Sequence, residues 1–291
     1  MSKMIAIQEP ANHLLEEGFF IFENVLSKSM IYRLREATNS LLDDLSDEQR
    51  ATSGHQGSVI QMEFQFSVFQ ELIAWPDTLK SLSKLGFDHP RYWSAYIISK
   101  EPKTPQNYWH QDWPFWGNAA SYATLPHQLF IMFYLVDTNR ENGCLRVIPR
   151  SHQNSHPAHN YGHDGDIRFQ DPEKSPAYKD YPEQKDLPVK TGDLVIGDAR
   201  LLHSTNPNRT DRRRTVITMW YLPRYEDLTE AMKSAFQSNL MVIPPSELSS
   251  EQIDLIYPLL PDYSGHAISE KWNRIPLRFL NDSINDKVDE Y

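Results

Sequence analysis

The sequence predicts a mainly β protein, a barrel or sandwich of short strands with helical segments on either side. Two observations carry this prediction: β-rich runs recur through the middle of the chain, and turn signals such as Asn142-Gly143 and 191–193 (TGD) separate them. The runs are residues 92–98, 128–136, 145–148, 194–196 and 215–222. A β protein of 291 residues fits one domain, so we expect residues 1–291 to form a single domain with its core at about 90–222.

Helical sequence flanks this core. Residues 18–25 (GFFIFENV) predict a short strand, and Ser27 or Ser29 follows as a candidate N-cap. An amphipathic helix from about residue 30 to 45 comes next, because apolar residues recur there at helical spacing: Ile31, Leu34, Leu41, Leu42 and Leu45. From residue 226 onward the pattern becomes partly helical again.

A long polar segment, residues 152–187, interrupts the core. It is rich in Pro, His and Asp, shows neither strand nor helix period, and exceeds the length of an ordinary connection. The two interpretations are a disordered insertion and a lid. We expect a lid, because the segment lies between the central strands and His203, where a loop can close over a site.

Composition narrows the possible partners. The chain has 39 acidic and 29 basic residues, and its net charge of −10 repels a nucleic-acid backbone unless basic residues cluster. The single cysteine, Cys144, rules out an internal disulfide and a cysteine-based zinc cage. No secretory signal pattern and no apolar run of membrane-spanning length is seen. We expect a cytoplasmic protein that binds a small molecule, without nucleic-acid or membrane partners. Monomer and homodimer both remain open.

Three residues form a candidate metal site. His110 and Asp112 lie two residues apart at the end of a β-like run, so an extended chain points both side chains to one face. His203 follows a predicted strand (DLVIGDARLL) and is the best candidate for a third ligand. Two imidazoles and one carboxylate leave coordination positions open, as in non-haem Fe(II) oxygenases. A zinc hydrolase is a poorer match, because its usual His-Glu-x-x-His run is missing.

Arg214 is the candidate anchor for a co-substrate. It comes eleven residues after His203, at the start of the predicted strand 215–222. A buried guanidinium is costly unless it pairs with an anion, and its planar fork binds a carboxylate through two parallel hydrogen bonds. The distal carboxylate of 2-oxoglutarate fits this description. Because Arg212 and Arg213 precede it, the choice of Arg214 rests on spacing.

An aromatic run follows the metal motif. Trp113, Phe115 and Trp116 come directly after Asp112. Aromatic side chains dominate both core packing and the walls of sites for flat or apolar ligands, and the sequence favours neither interpretation over the other. We name the three as candidate substrate-binding residues.

Taken together, these motifs resemble the phytanoyl-CoA dioxygenase family of Fe(II)/2-oxoglutarate-dependent oxygenases. The resemblance spans about residues 18–222. It rests on HQD at 110–112, ENGCLRVIPRSH at 141–152, GD at 192–193, and His203 with Arg214 eleven residues later. Arg150 stands where the family commonly has Gly, a departure that touches no ligand. The resemblance implies a double-stranded β-helix (jelly-roll, cupin-like) core.

The resemblance also implies the cofactors. His110, Asp112 and His203 would bind Fe(II), and Arg214 would bind 2-oxoglutarate, with O2 as the other co-substrate. Asn107 and Thr205 occupy positions at which related enzymes place polar side chains on 2-oxoglutarate, a weaker inference. The function that follows is a dioxygenase that oxidises an unactivated C–H bond of a small metabolite and releases succinate and CO2.

Asp112 bears on the outcome of that reaction. Halogenating relatives carry a small residue at this position, so a carboxylate favours hydroxylation, with desaturation, epoxidation or cyclisation also open. The aromatic-rich site favours the biosynthesis of a specialised product. Two alternatives remain: a non-catalytic barrel protein, which would be expected to have lost a ligand or the arginine, and an oxoglutarate-independent metal-binding barrel such as an isomerase, which would not need Arg214.

Overall fold

Two antiparallel β-sheets form the centre of the protein. The computed structural model describes residues 2–62, 66–161, 165–240, 249–276 and 278–279. In chain order, the strands of this part are Phe19–Phe22 (β1), Ser58–Gln61 (β2), Arg91–Lys100 (β3), Leu129–Tyr134 (β4), Leu145–Val147 (β5), Lys185–Leu187 (β6), Leu194–Asp198 (β7), His203–Thr205 (β8) and Arg214–Leu222 (β9). The larger sheet has the order β1-β7-β4-β9-β3-β2, and the smaller sheet has the order β6-β5-β8. The predicted mainly β core with flanking helices is therefore confirmed.

Most of the helices cover the outer face of the larger sheet, whereas Glu230–Ser238 packs in a separate cluster with Trp93 and Trp113. Their bounds, within the described ranges, are Ser2–Glu17 (α1), Lys28–Asp43 (α2), Asp47–Ala51 (α3), Ser67–Ile73 (α4), Pro76–Lys84 (α5), Glu230–Ser238 (α6) and Ser250–Ile256 (α7). Leu34 of α2 and Phe69 of α4 are fully buried in one hydrophobic cluster with Ile131 of β4. Burial of this apolar surface holds the helices against the sheet.

Helix α2 begins and ends close to the positions that its periodicity predicts. The Ser27 side chain accepts a hydrogen bond of 3.1 Å from the Met30 backbone N–H and so caps the helix. Leu34 and Leu42, on the predicted apolar face, are fully buried. The sequence placed the N-cap at either Ser27 or Ser29, and the structure selects Ser27.

Strand β4 is buried on both faces, which explains its continuous apolar sequence. Leu129, Ile131 and Phe133 pack under the helices. The alternate residues Phe130, Met132 and Tyr134 pack against β5 and β6 of the smaller sheet. The space between the two sheets is therefore lined by every second residue of the central strands.

The stretch that carries His110 runs alongside β8 at the edge of the smaller sheet. His110 and His203 exchange backbone hydrogen bonds of 3.1 and 2.8 Å, and the Asn107 N–H donates to the Thr205 carbonyl at 3.0 Å. The sequence predicted a strand ending here. The structure forms a single antiparallel bridge, which still fixes one candidate metal ligand beside another.

The polar segment 152–187 contains short 3-10 helices and ends in β6. The helices span Pro157–Asn160, Gly165–Phe169 and Pro176–Tyr178, and residues 162–164 lie outside the described part. Ala177 accepts a hydrogen bond of 2.9 Å from the Trp109 N–H, one residue before His110. The segment therefore packs on the stretch that carries the candidate metal site, where the sequence predicted a lid.

None of the helices in the described residues is both long and apolar enough to cross a membrane.

Candidate metal centre

His110, Asp112 and His203 come together between the sheets. One candidate ligand atom from each lies within 4.8 Å of the other two. The His203 Nε2 atom is 3.8 Å from an Asp112 carboxylate oxygen, and the two imidazole rings have centroids 4.2 Å apart. Three donors at these separations can bind one ion on one of its faces and leave the remaining positions open.

Hydrogen bonds to the backbone orient both imidazoles. The Nδ1 atom of His110 lies 3.1 Å from the Tyr108 carbonyl, and that of His203 lies 3.0 Å from the Leu201 carbonyl. Because a carbonyl only accepts, each Nδ1 donates, and each Nε2 keeps a lone pair for a metal. Burial, followed by the neighbouring His203, lowers the pKa of His110 to about 3, so this ring is neutral at physiological pH.

Asp112 is held as a carboxylate by several groups. Burial alone would raise its pKa, but His203, His110 and Arg274 bring the pKa below its usual value, with a contribution from Trp220. The Trp220 indole N–H donates to one carboxylate oxygen at 2.8 Å. The Arg274 guanidinium lies 3.8 Å from the other oxygen. The carboxylate therefore has one direct side-chain hydrogen bond and a nearby positive charge.

Arg214 shares a cavity of about 400 Å³ with these three residues. Its side chain is only 2% exposed, yet its Nε and Nη1 atoms have no hydrogen-bond partner among the described residues. Its guanidinium carbon lies 5.4 Å from the centre of the Tyr134 ring. Burial lowers the pKa of Arg214. The cavity thus has a cationic end with unused donors, which is the arrangement that a carboxylate ligand requires.

The structure separates Arg214 from its two arginine neighbours. Arg213 pairs with Asp43 at 2.6 Å and also donates to Asn39. Arg212 is exposed. Spacing in the sequence selected Arg214 as the co-substrate anchor, and the structure supports this choice, because of the three arginines it is Arg214 that lines the cavity.

Asn107 and Thr205, the weaker candidates, also line this cavity. Asn107 is 6% exposed, and its side-chain oxygen has no hydrogen-bond partner among the residues that the structure describes. An unpaired buried polar atom is uncommon in native proteins and is typical of a site that binds a ligand, an ion or water.

The three candidate substrate-binding aromatic residues lie outside this cavity. Trp113, Phe115 and Trp116 are each 1% exposed and line neither this cavity nor its neighbour. Trp113 and Phe115 pack against Phe236 of α6, and Trp116 packs against Phe279. The chain turns away from the cavity after Asp112, where the Asp112 and Trp113 N–H groups both donate to the Ala199 carbonyl. The core interpretation of this run therefore fits the structure.

Other aromatic residues line the cavity. They are Tyr96, Tyr108, Tyr134 and Trp220. Strand alternation offered a signal for Trp220. Residues at steps of two from Arg214, namely Val216, Thr218 and Trp220, lie on the same face of the strand as Arg214. Arg168 and Arg274 also line the cavity. Nothing local in the sequence around either arginine indicated this.

A family model described as phytanoyl-CoA dioxygenase (PhyH) matches residues 14–216, which is more than half of the chain. The chain belongs to the phytanoyl-CoA dioxygenase family. His110, Asp112, His203 and Arg214 all fall inside the matched region, whereas Arg274 lies outside it.

Two curated relatives match parts of the chain. Phytanoyl-CoA dioxygenase 1 of Oryza sativa subsp. japonica is 29% identical over 153 residues, covering 52% of each protein. The dioxygenase sphC of Aspergillus fumigatus is 22% identical over 245 residues, covering 77% of this chain and 61% of that protein. The chain thus spans about half to three fifths of the length of these relatives.

Solved structures of the same fold have low sequence identity to the chain. The non-heme alpha ketoglutarate dependent epimerase SnoN from nogalamycin biosynthesis has a TM-score of 0.57 and 19% identity, covering 75% of this chain and 83% of its own. EctD from S. alaskensis, solved with 2-oxoglutarate and 5-hydroxyectoine, has a TM-score of 0.55 and 20% identity, covering 74% and 75%. The likeness establishes the jelly-roll fold.

Proposed function

We propose that this protein is an Fe(II)/2-oxoglutarate-dependent dioxygenase that hydroxylates an unactivated C–H bond of a small metabolite. One observation carries the proposal. The buried Arg214 guanidinium, with unpaired donors, lies in the same cavity as the His110, Asp112 and His203 side chains. A purely structural arginine would be expected to have a partner, since an unpaired buried donor costs about 1–3 kcal/mol and a charged one costs more.

The donor set fits Fe(II). Two neutral imidazoles and one carboxylate are the protein ligands that non-haem Fe(II) oxygenases use, and they leave room for a bidentate co-substrate and O2. His110, Asp112 and His203 would hold the metal through the two Nε2 atoms and a carboxylate oxygen. Trp220 would keep the Asp112 carboxylate in position through its indole N–H.

The residues around the metal site would bind and shield the co-substrate. Arg214 would pair with the distal carboxylate of 2-oxoglutarate, and Asn107 and Thr205 would offer polar contacts beside it. Relatives with this fold include proteins described as alpha ketoglutarate dependent or solved with 2-oxoglutarate. Met132, Tyr134 and Val216 line the same space and keep bulk water away from it.

Iron with 2-oxoglutarate supplies the oxidising chemistry: one atom of O2 enters the substrate as a hydroxyl group, and the other enters succinate as CO2 is released. The protein determines which C–H bond lies within reach. Asp112 favours hydroxylation, because its carboxylate occupies the position that a small residue holds in halogenating relatives. Proteins of the same fold described as an epimerase and a carbocyclase indicate that this fold supports other outcomes.

Replacing Arg214 tests the co-substrate assignment. We expect Arg214→Met to bind 2-oxoglutarate about thirtyfold more weakly or worse, because losing one partner of a buried charge pair costs about 2 kcal/mol or more. Calorimetric titration of Zn(II)-loaded protein measures this affinity. Arg213→Met is the matched control, since Arg213 pairs with Asp43 outside the cavity, and it should bind normally. Equal affinity in Arg214→Met and wild type would favour the oxoglutarate-independent alternative.

A further inference from the structure

A second cavity, of about 510 Å³, adjoins the first on the side away from Arg214. Asp112, Tyr96, Trp220 and Arg274 line both cavities, so the two meet at the candidate metal centre. We call the second one the Gln128 cavity. A molecule held there would lie against a metal ligand and opposite the proposed site for 2-oxoglutarate.

Strand register sets the order of residues along the two cavities. Ile98 and Tyr134 both lie beside Val216, and in the next layer Tyr96 and Met132 lie beside Thr218. These two layers line the first cavity. In the following layer Ser94 and Phe130 lie beside Trp220, where the Gln128 cavity begins. Gln128 lies two residues beyond Phe130 and therefore continues the same inner face.

Gln128 is a buried polar side chain of this second cavity with both amide atoms unpaired, and the Arg274 Nε atom is also unpaired within the described part of the chain. Its side chain is 1% exposed, and neither the amide nitrogen nor the amide oxygen has a hydrogen-bond partner among the described residues. Its backbone is fixed: the Gln128 carbonyl accepts from the Ala199 N–H at 3.0 Å, and the Ala199 carbonyl accepts from the Asp112 N–H at 2.7 Å. The Gln128 side-chain amide is thus buried and unpaired, and its backbone is linked through Ala199 to the candidate metal ligand Asp112.

Aromatic side chains form part of the other walls, beside polar residues such as Ser94, Ser238 and Asn239. Trp93, Trp220 and Trp272 line the cavity, and the rings of Trp93 and Trp272 have centroids 5.9 Å apart. Aromatic faces bind flat groups by stacking and desolvation, while a few polar groups set the orientation of the ligand. The combination suits a flat ligand with one polar edge.

We propose that the Gln128 cavity binds the substrate, and that the Gln128 amide pairs with a carboxamide or lactam edge on it. The proposal rests on the proposed function and adds the substrate class. A glutamine amide presents one acceptor and one donor side by side, so a second amide satisfies both atoms at once. A carboxylate would satisfy the donor and repel the glutamine oxygen. Arg274, the cation of this cavity, already faces Asp112 at 3.8 Å.

Binding of benzamide tests the pairing, with methyl benzoate as a flat probe that lacks N–H donors. Saturation-transfer NMR on protein loaded with Zn(II) and 2-oxoglutarate gives both affinities. Gln128→Met should bind benzamide about tenfold more weakly, and its binding of methyl benzoate should weaken less, because benzamide loses two hydrogen bonds whereas the ester loses only the one that its carbonyl accepts, and methionine keeps a similar shape. Gln153→Met, at an exposed glutamine outside the cavity, is the matched control.

Three results would overturn the proposal: benzamide that does not bind wild type, benzamide that binds Gln128→Met equally well, or benzoate that binds best and depends on Arg274. If Gln128→Met does not fold, Gln128→Leu replaces it with the same expectation, since leucine also removes the amide donor and acceptor. Repeating the probe titrations on metal-free protein separates the two claims. Failure of the Zn(II)-loaded protein to bind 2-oxoglutarate contradicts the proposed function, whereas binding of the probes reports on the Gln128 cavity.

Discussion

At the scale of single residues, hydrogen bonds within the protein organise the candidate metal centre. His110 and His203 each use Nδ1 on a carbonyl two residues earlier, so both rings present Nε2 to the same point. The Asp112 carboxylate is oriented by Trp220 and lies near Arg274. Preorganisation of this kind lowers the conformational cost of binding an ion.

Trp220→Phe tests this orientation. The variant keeps an aromatic ring but removes the N–H that donates to Asp112 at 2.8 Å. Loss of such a supporting hydrogen bond typically lowers metal affinity by about tenfold or more. Titration with Co(II), followed by its visible absorption, measures the change. Trp75→Phe is the control, because its indole N–H donates to Val25 away from the site. A Trp220→Phe protein with wild-type Co(II) affinity would show that Asp112 needs no such support.

Residue types and spacing predicted the four central site residues, and the structure brings all of them to one cavity. The sequence did not reveal which aromatic residues face that cavity. Trp113 follows Asp112 directly, but the backbone turns at that point and sends its side chain into the core. Arg274 comes from a distant segment, 162 residues after Asp112 in the chain. Such a contact is set by tertiary packing, which has no local sequence signal.

At the scale of elements, the segment 152–187 connects the smaller sheet to the cavity. Arg168, in the 3-10 helix Gly165–Phe169, lines the first cavity, and Ile167 beside it packs in a small cluster with Tyr108 and Tyr178. Ile167 is the one buried residue of this 3-10 helix, whereas every residue of β4 is buried. Elements with few buried contacts open locally at low free energy, as a lid must.

Hydrogen exchange tests the lid prediction. We expect the amides of Gly165–Phe169 to exchange about tenfold more slowly once Zn(II) and 2-oxoglutarate are bound, equivalent to about 1.4 kcal/mol of added local stability. The 3-10 helix Ala119–Tyr122, which lines neither of these two cavities, is the internal control. If the exchange rates at Gly165–Phe169 do not change when both ligands bind, this segment is a fixed wall of the cavity and the lid prediction is wrong.

At the scale of the whole molecule, the hydrophobic pattern predicted six of the nine strands in the described residues and missed the short strands β2, β6 and β8. Each β-rich run lies on a strand, because apolar runs of this length bury both faces between helices and the second sheet. The helix Ser2–Glu17 was not predicted, since its sequence contains Pro10 and only a weak apolar stripe. Sheet order and register were also beyond the sequence, because pairing between distant strands leaves no periodic trace in either strand. Those registers are what align the two cavities along the inner face.

The central claim is that this fold holds Fe(II) and 2-oxoglutarate together at His110, Asp112 and His203. Anaerobic titration of the protein with Fe(II) and then 2-oxoglutarate tests it most directly, because chelation of a keto acid to a ferrous site with open positions produces a weak visible charge-transfer band. We expect this band in the wild-type protein and its loss in folded His110→Ala. A well-folded, iron-loaded wild type that shows no band on addition of 2-oxoglutarate would contradict it.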